Sequence, residues 1–254
     1  MTTTFFDQSI AALDVSIFRI ESQTSLDDRR SFLEIQNAVR NWKKEYIYLE
    51  CGSHVGGSLF PHILDPRCRL SYSVDKRPHI QPDERGINYE YPQNSSQRMV
   101  AMLRRHVTAD YLAKLRTFDM DASELTTRDI PEQPDLVLID AEHTNAAVFR
   151  DFLHLYRLCH ASTLYTFHDA SLLLDGLQNI EMFLRYNRIA FDSYILPSDI
   201  FVLAITDARE VLRPVGVKYG LKKDQFTALA KQRLMRSHYE VVRQFIACQQ
   251  RPGV

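Results

Sequence analysis

Glycine is scarce in this chain, eight residues in 254, and three of the eight, Gly52, Gly56 and Gly57, fall inside one turn. Glycine is thus concentrated where backbone must approach something closely or adopt a positive φ. Cysteine is scarcer still. Cys51, Cys68, Cys159 and Cys248 are scattered and form no C-x-x-C pair, which argues against a zinc site and against a disulfide framework. Neither sign of charge is in excess: the net charge is −1, so no global electrostatic case exists for a nucleic-acid or membrane-surface partner. No apolar run approaches the ~18 residues that a membrane span needs. The opening Met-Thr-Thr-Thr-Phe-Phe-Asp also lacks the basic region and long apolar run of a secretory signal. The expectation is a soluble, cytoplasmic protein.

What is present is an alternation of helical and strand patterns. Ser25-Leu26-Asp27-Asp28 reads as a capping start for a helix through Phe32, Ile35, Val39 and Trp42. An apolar strand, Tyr46 to Leu49, then runs into Glu50 and the turn Cys51-Gly52-Ser53-His54-Val55-Gly56-Gly57-Ser58, with helix expected from Leu59 to Leu64. Arg69 to Val74 alternates as a strand ending on Asp75, a polar loop with Pro78, Pro82 and Gly86 follows, and Met99 to Leu103 lies in a helix. A short strand around Leu115 to Met120 ends at Asp121-Ala122-Ser123. Asp135-Leu136-Val137-Leu138-Ile139-Asp140 is the nearly continuous apolar run of a parallel strand buried on both faces. Helix Asn145 to Cys159, the strand stretch Ser162-Thr163-Leu164-Tyr165-Thr166-Phe167-His168-Asp169, and helix Leu172 to Asn187 complete the alternation. Only Pro197, Ser198 and Asp199 separate the last apolar runs, Ile189 to Leu196 and Ile200 to Ile205, so these form a hairpin.

The expected fold is therefore α/β, a doubly wound, mostly parallel seven-stranded sheet with an antiparallel C-terminal hairpin. Residues 1–45 read as an N-terminal helical segment, 46–206 as the main domain and 207–254 as a C-terminal helical extension. Within the extension, Lys222 to Gln250 reads as one long helix whose apolar residues, Phe226, Leu229, Leu234, Val242, Phe245 and Ile246, need a surface to cover them. That surface is either the protein's own domain or the same helix of a homodimer. Local positive charge at Arg98, Arg104 and Arg105 and along the last helix reads as solvated helix faces, so nucleic acid is not an expected partner.

Ligands bind beyond the carboxyl ends of such strands, and there the predicted strands end in Glu50, Asp75, the Asp121 region, Asp140 and Asp169. A glycine turn entering a helix offers backbone N–H groups and a helix dipole to an anionic group. Its spacing, G-x-x-x-G-G, differs from the G-x-G-x-x-G of a nicotinamide-dinucleotide site. No Tyr-x-x-x-Lys pair stands near the fourth strand either, which disfavours a dehydrogenase.

The order Glu50-Cys51-Gly52-Ser53-His54-Val55-Gly56-Gly57-Ser58, then Leu138-Ile139-Asp140-Ala141-Glu142-His143, then Phe167-His168-Asp169 resembles the class I S-adenosylmethionine-dependent methyltransferases. More narrowly it is similar to their small-molecule O-methyltransferase-like group, with I-D-x-x-H and F-H-D elements. The resemblance covers roughly Tyr46 to Ile205 and implies a Rossmann-like methyltransferase fold with S-adenosylmethionine as cofactor. It places Glu50, Gly52, Ser53, Gly56, Gly57, Ser58, Asp75, Asp121, Ala122 and Asp140 around that cofactor, Asp75 at the ribose and Asp121 with the Ala122 backbone at the adenine. The acceptor side then falls to Asp140, His143, His168 and Asp169, where a histidine acts as base or Asp140 and Asp169 hold a divalent cation, Mg²⁺ or Mn²⁺. The implied substrate is a small-molecule acceptor. Ala141 stands where the group carries glycine, and His160-Ala161-Ser162-Thr163 replaces its P-G-G turn. A methyltransferase fold kept for binding or assembly alone is the alternative these departures allow.

Overall fold

The computed structural model describes residues 3–249. Gln250, the expected end of the last helix, lies outside them. Seven strands form one sheet: β1 (Tyr46–Cys51), β2 (Cys68–Val74), β5 (Leu115–Phe118), β6 (Leu136–Ile139), β7 (Leu164–Phe167), β8 (Phe191–Leu196) and β9 (Ile200–Ile205), in the order β5-β2-β1-β6-β7-β9-β8. The first five strands in that spatial order run parallel, and β9 pairs antiparallel with both β7 and β8. Strand order reverses direction at β1, between β2 and β6, and that switch point is where a doubly wound sheet opens a crevice.

Every residue of β1 is buried, and alternate side chains supply opposite faces. Tyr46 and Tyr48 face a layer built from α1 (Thr3–Ala11), α2 (Leu26–Trp42), α3 (Phe60–Leu64), α4 (Ser96–Arg104) and α8 (Ala208–Tyr219). Ile47 and Leu49 face α6 (Asn145–Leu158) and α7 (Leu174–Tyr186), with Phe152 fully enclosed. Each such large apolar side chain contributes about 1.5–3 kcal/mol by leaving water. Phe6, Ile10 and Leu33 share one core with Leu136 and Leu212, so both terminal stretches pack on the sheet.

Local signals account for the element ends. Ser25 and Asp28 form a reciprocal capping box at the start of α2. Ser95 and Thr144 cap α4 and α6 by accepting from the backbone N–H of Arg98 and Ala147. The loop around Pro78, expected to be irregular, instead contains a small hairpin, β3 (Ile80–Pro82) with β4 (Asn88–Glu90). Its strands are too short to show an alternation. The short α5 (Ala109–Leu112) precedes β5, and α9 (Lys223–Gln249) closes the described chain.

Candidate active site

A cleft open to solvent lies along the carboxyl ends of the parallel strands. The glycine turn after β1 forms its floor. Gly52 has φ +95°, and a Cβ there would stand 2.0 Å from the Asp140 carbonyl oxygen, so only glycine lets β1 leave the sheet against the end of β6. At Gly57 a Cβ would meet Ser22 and the Glu21 carbonyl, because the segment before α2 crosses over the turn. That segment, 21–24, lines the cleft. Ser53 also lines it, and its Oγ is buried without a hydrogen-bond partner, a hydroxyl left for a ligand.

Of the residues singled out in the sequence, Gly52, Ser53, Gly57, Ser58, Asp75, Asp121, Ala122, Asp140, His143, His168 and Asp169 reach the cleft wall. Glu50 and Gly56 do not. Glu50 is fully buried beneath the turn and accepts from Tyr48 Oη at 2.7 Å and Ser58 Oγ at 3.0 Å. Burial raises its pKa to about 8 against those two bonds, so it holds the turn as a neutral acid at pH 7. Gly56 packs against Met99. Asp75 accepts from His54 N at 2.9 Å, from Arg77 N at 2.7 Å and from Arg77 Nη1 at 3.2 Å. A carboxylate has about four acceptor positions, which leaves one for a ligand. Asp121 caps a short 3₁₀ turn, Ala122–Glu124, through Ser123.

Four side chains converge where β6 and β7 end side by side. His143 Nε2 stands 3.4 Å from Asp140 Oδ1 and 3.1 Å from Asp169 Oδ2, while His168 Nδ1 is 3.2 Å and 3.4 Å from the same two oxygens. Asp169 adopts φ +53°, which turns its carboxylate back toward β6. Burial alone would raise the Asp140 pKa, but the charges and hydrogen bonds of His168 and His143 hold it well below the usual range. Burial likewise opposes charge on both imidazoles, and the neighbouring carboxylates overcome it: His168 is raised well above 6.5 and His143 is raised. Asp140, His143 and Asp169 each offer a ligand atom within 4.8 Å of the others, the one such group of three among the described residues.

Sequence reasoning missed several participants. Asp28, read only as a helix-capping residue, reaches His168 Nε2 at 3.4 Å. Burial pushes its carboxyl up, yet His168 and Ser25 bring it down to about 2. The hairpin β3/β4 frames the site from outside: Asp83 bridges to His143, and Glu84 N donates to the His143 carbonyl. Tyr91, beyond the hairpin, stacks edge-on with His54 over the cleft. Arg150 and Asp151 also line the cleft, from α6. No short spacing signal links any of these to the glycine turn; their approach is set by how α2, α6 and the β3/β4 hairpin pack at the strand ends.

A methyltransferase-domain family model matches residues 49–170, the span from the end of β1 to just past Asp169. Among solved structures, the fold is similar to that of a Klebsiella pneumoniae protein assigned by inference as an O-methyltransferase, at 14% identity and TM-score 0.51. That match covers 81% of this chain and 90% of the other. It is also similar to cofactor-bound Rv0187 from MTB, at 13% identity and TM-score 0.50, covering 80% of this chain and 88% of that one. No curated protein matches the chain by sequence. Among the described residues no helix is long and apolar enough to cross a membrane.

Proposed function

We propose that the chain is a class I S-adenosylmethionine-dependent methyltransferase, its methyltransferase domain spanning residues 49–170, and that it O-methylates a small hydroxylated molecule in the cytoplasm. The observation that carries the proposal is the meeting of Asp140, His143, His168 and Asp169 within 3.1–3.4 Å at the end of the cleft. Two carboxylates and imidazole suit removal of a hydroxyl proton.

The residues present fit the cofactor. The unpartnered Ser53 Oγ, the remaining acceptor position of Asp75 and the wall at Ala122 supply polar and apolar contacts along one cleft. We assign Gly52, Ser53, Gly57, Ser58, Asp75, Asp121, Ala122 and Asp140 to that wall, with Glu50 and Gly56 shaping the turn beneath it. When bound, S-adenosylmethionine supplies an electrophilic methyl group on its sulfonium.

His143 is the proton acceptor in this reading. With Nε2–H held between Asp140 and Asp169, Nδ1 is the nitrogen left to take the hydroxyl proton, and the two carboxylates stabilise the imidazolium that forms. His168, buried behind them, keeps both carboxylates in place through Nδ1. The Asp140, His143 and Asp169 ligand atoms also fit a divalent cation, Mg²⁺ or Mn²⁺, which would lower the pKa of an acceptor hydroxyl.

Mass-spectrometric screening of hydroxylated and amino metabolites with S-adenosylmethionine tests the proposal. A mass gain of one methyl on a hydroxylated acceptor, lost in His143→Ala while S-adenosylhomocysteine affinity persists, is the expected result. Transfer only to amines, or full activity in His143→Ala, would overturn it.

A further inference from the structure

The hairpin β3/β4 turns one polar side chain into the cleft that the proton transfer above does not use. Gln81 is the middle residue of β3, and burial alternates along the strand: Ile80 and Pro82 are exposed, while Gln81 and Asp83 are 8% and 6% exposed on the inner face. The Asp83 carboxylate is filled by Arg85, through N at 2.8 Å, Nε at 2.9 Å and Nη2 at 2.5 Å. The Gln81 amide has no hydrogen-bond partner among the described residues, and the little surface it keeps lies on the cleft.

Asp83 pairs with the His143 backbone and Glu84 N donates to the His143 carbonyl at 3.0 Å, so Gln81 stands two residues, roughly 7 Å of strand, from the anchor of the proton acceptor. A small molecule spans that distance. Tyr91, from the returning side of the hairpin, is also 8% exposed and lines the cleft, and its hydroxyl has no hydrogen-bond partner among the described residues. Burial, with the charges of Asp140 and Asp169, pushes that hydroxyl up to about 12, so it meets a ligand as a neutral donor. Carboxylates outnumber Lys and Arg along the cleft by seven to two, and both cations are taken, Lys76 by Glu142 at 2.8 Å and Arg150 by Asp151 at 2.8 Å. An anionic group entering here meets no unpaired Lys or Arg among the described residues of the wall, whereas an uncharged one finds an amide and a phenol.

Resting on the O-methyltransferase reading of this cleft, we infer that Gln81 selects the acceptor: its amide hydrogen-bonds an uncharged polar group, a second hydroxyl or a carboxamide, that the acceptor carries besides the hydroxyl to be methylated. Tyr91 Oη is the second hydrogen-bonding group at that place. An acceptor with a carboxylate or phosphate there is rejected, because the surrounding carboxylates repel it and no cation replaces the water it loses. Gln81 is therefore a specificity residue for the acceptor and not for the cofactor.

Methyl transfer from S-adenosylmethionine to two matched sets of phenols tests the assignment. Tyrosol carries a neutral hydroxyl, para-hydroxyphenylacetate a carboxylate and para-ethylphenol neither; para-hydroxybenzamide, para-hydroxybenzoate and para-cresol form the second set. The parent protein should favour tyrosol and para-hydroxybenzamide over the other members of their sets by about tenfold in kcat/KM, the span of one hydrogen bond to a buried group. Gln81→Met, unbranched and of similar length, should raise KM about tenfold for those two and not for para-ethylphenol or para-cresol. The ranking in the parent needs no variant, so the test survives a variant that does not fold. Preference for the carboxylates, or an unchanged KM for tyrosol and para-hydroxybenzamide in folded Gln81→Met, would overturn the Gln81 assignment alone. A parent protein that binds S-adenosylhomocysteine in calorimetry yet methylates no member would overturn the acceptor chemistry inferred here and leave the cofactor standing. One that binds no S-adenosylhomocysteine would overturn the reading of the cleft and this inference with it.

Discussion

His168 Nε2 stands 3.4 Å from Asp28 Oδ2, which joins the end of the fifth parallel strand to the first turn of α2. The same Asp28 closes the capping box of that helix and accepts from the Asp199 backbone N–H through Oδ1, at 3.2 Å. One side chain therefore ties the N-terminal helix, the candidate active site and the β8/β9 turn together.

Replacing Asp28 with alanine removes the cap and takes the opposing carboxylate away from the buried His168 imidazole. The expected loss is about 2–4 kcal/mol, combining a broken helix cap with a broken buried ion pair. Thermal denaturation at neutral pH measures it, and an unshifted melting temperature would show that Asp28 holds nothing of consequence.

Asp75→Ala should weaken S-adenosylhomocysteine binding by about ten- to a hundredfold, since each charged hydrogen bond to a ribose hydroxyl contributes roughly 1.5–3 kcal/mol. The variant also frees His54 N and the Arg77 guanidinium, so its folding is to be checked alongside. Unchanged calorimetric affinity would remove Asp75 from the ribose.

Asp140→Asn and Asp169→Asn should each abolish methyl transfer, and Asp169→Asn, which acts on the acceptor side alone, should leave S-adenosylhomocysteine affinity within about threefold. Treatment with a chelator then separates the two modes of proton removal. Activity lost and restored by Mg²⁺ or Mn²⁺ assigns a cation to Asp140, His143 and Asp169, and indifference assigns the proton to His143 alone.

Glu50 makes stability depend on pH. Its folded pKa, about 8, stands above its ordinary 4.5, so the neutral acid is the form the fold prefers. That contribution is complete below pH 4.5 and is lost as pH rises through 8. Glu50→Gln should therefore flatten the fall in urea-unfolding free energy between pH 5 and pH 9 by on the order of a few kcal/mol. Parallel pH profiles for the two proteins would contradict the buried neutral acid.

Along α9, Met235, Tyr239, Val242 and Ile246 are exposed on one helical stripe at intervals of four, three and four, the seam spacing of paired helices. The inner contacts of α9 are few, among them Lys223 with Glu181 and His238 with the Glu84 carbonyl. The expected outcome is a homodimer through this stripe, converted to monomer by ending the chain at residue 222. Light scattering that finds the same mass before and after truncation would exclude α9 as the contact.

The sheet was legible because its evidence is local. A strand buried on both faces reads as a continuous apolar run at Leu136–Ile139, and a three-residue gap between Leu196 and Ile200 admits only a hairpin. Gly52 was legible too, since a residue that must take φ +95° against another strand's backbone leaves glycine as the fitting choice. The β3/β4 hairpin was not, because three-residue strands carry too few alternations to distinguish them from a loop.

By itself the sequence determined which side chains end the strands, and so brought Asp75, Asp121, Asp140 and Asp169 to one edge: a parallel sheet places every strand's carboxyl end on the same side. Tertiary structure alone decided what those side chains meet. Asp28 beside His168, Ser22 over Gly57 and Asp151 beside Asp121 join residues far apart in the chain, and their approach depends on how α2 and α6 pack their apolar faces on the sheet. Packing of that kind depends on the summed volumes of many side chains, a quantity that no short spacing in the sequence encodes.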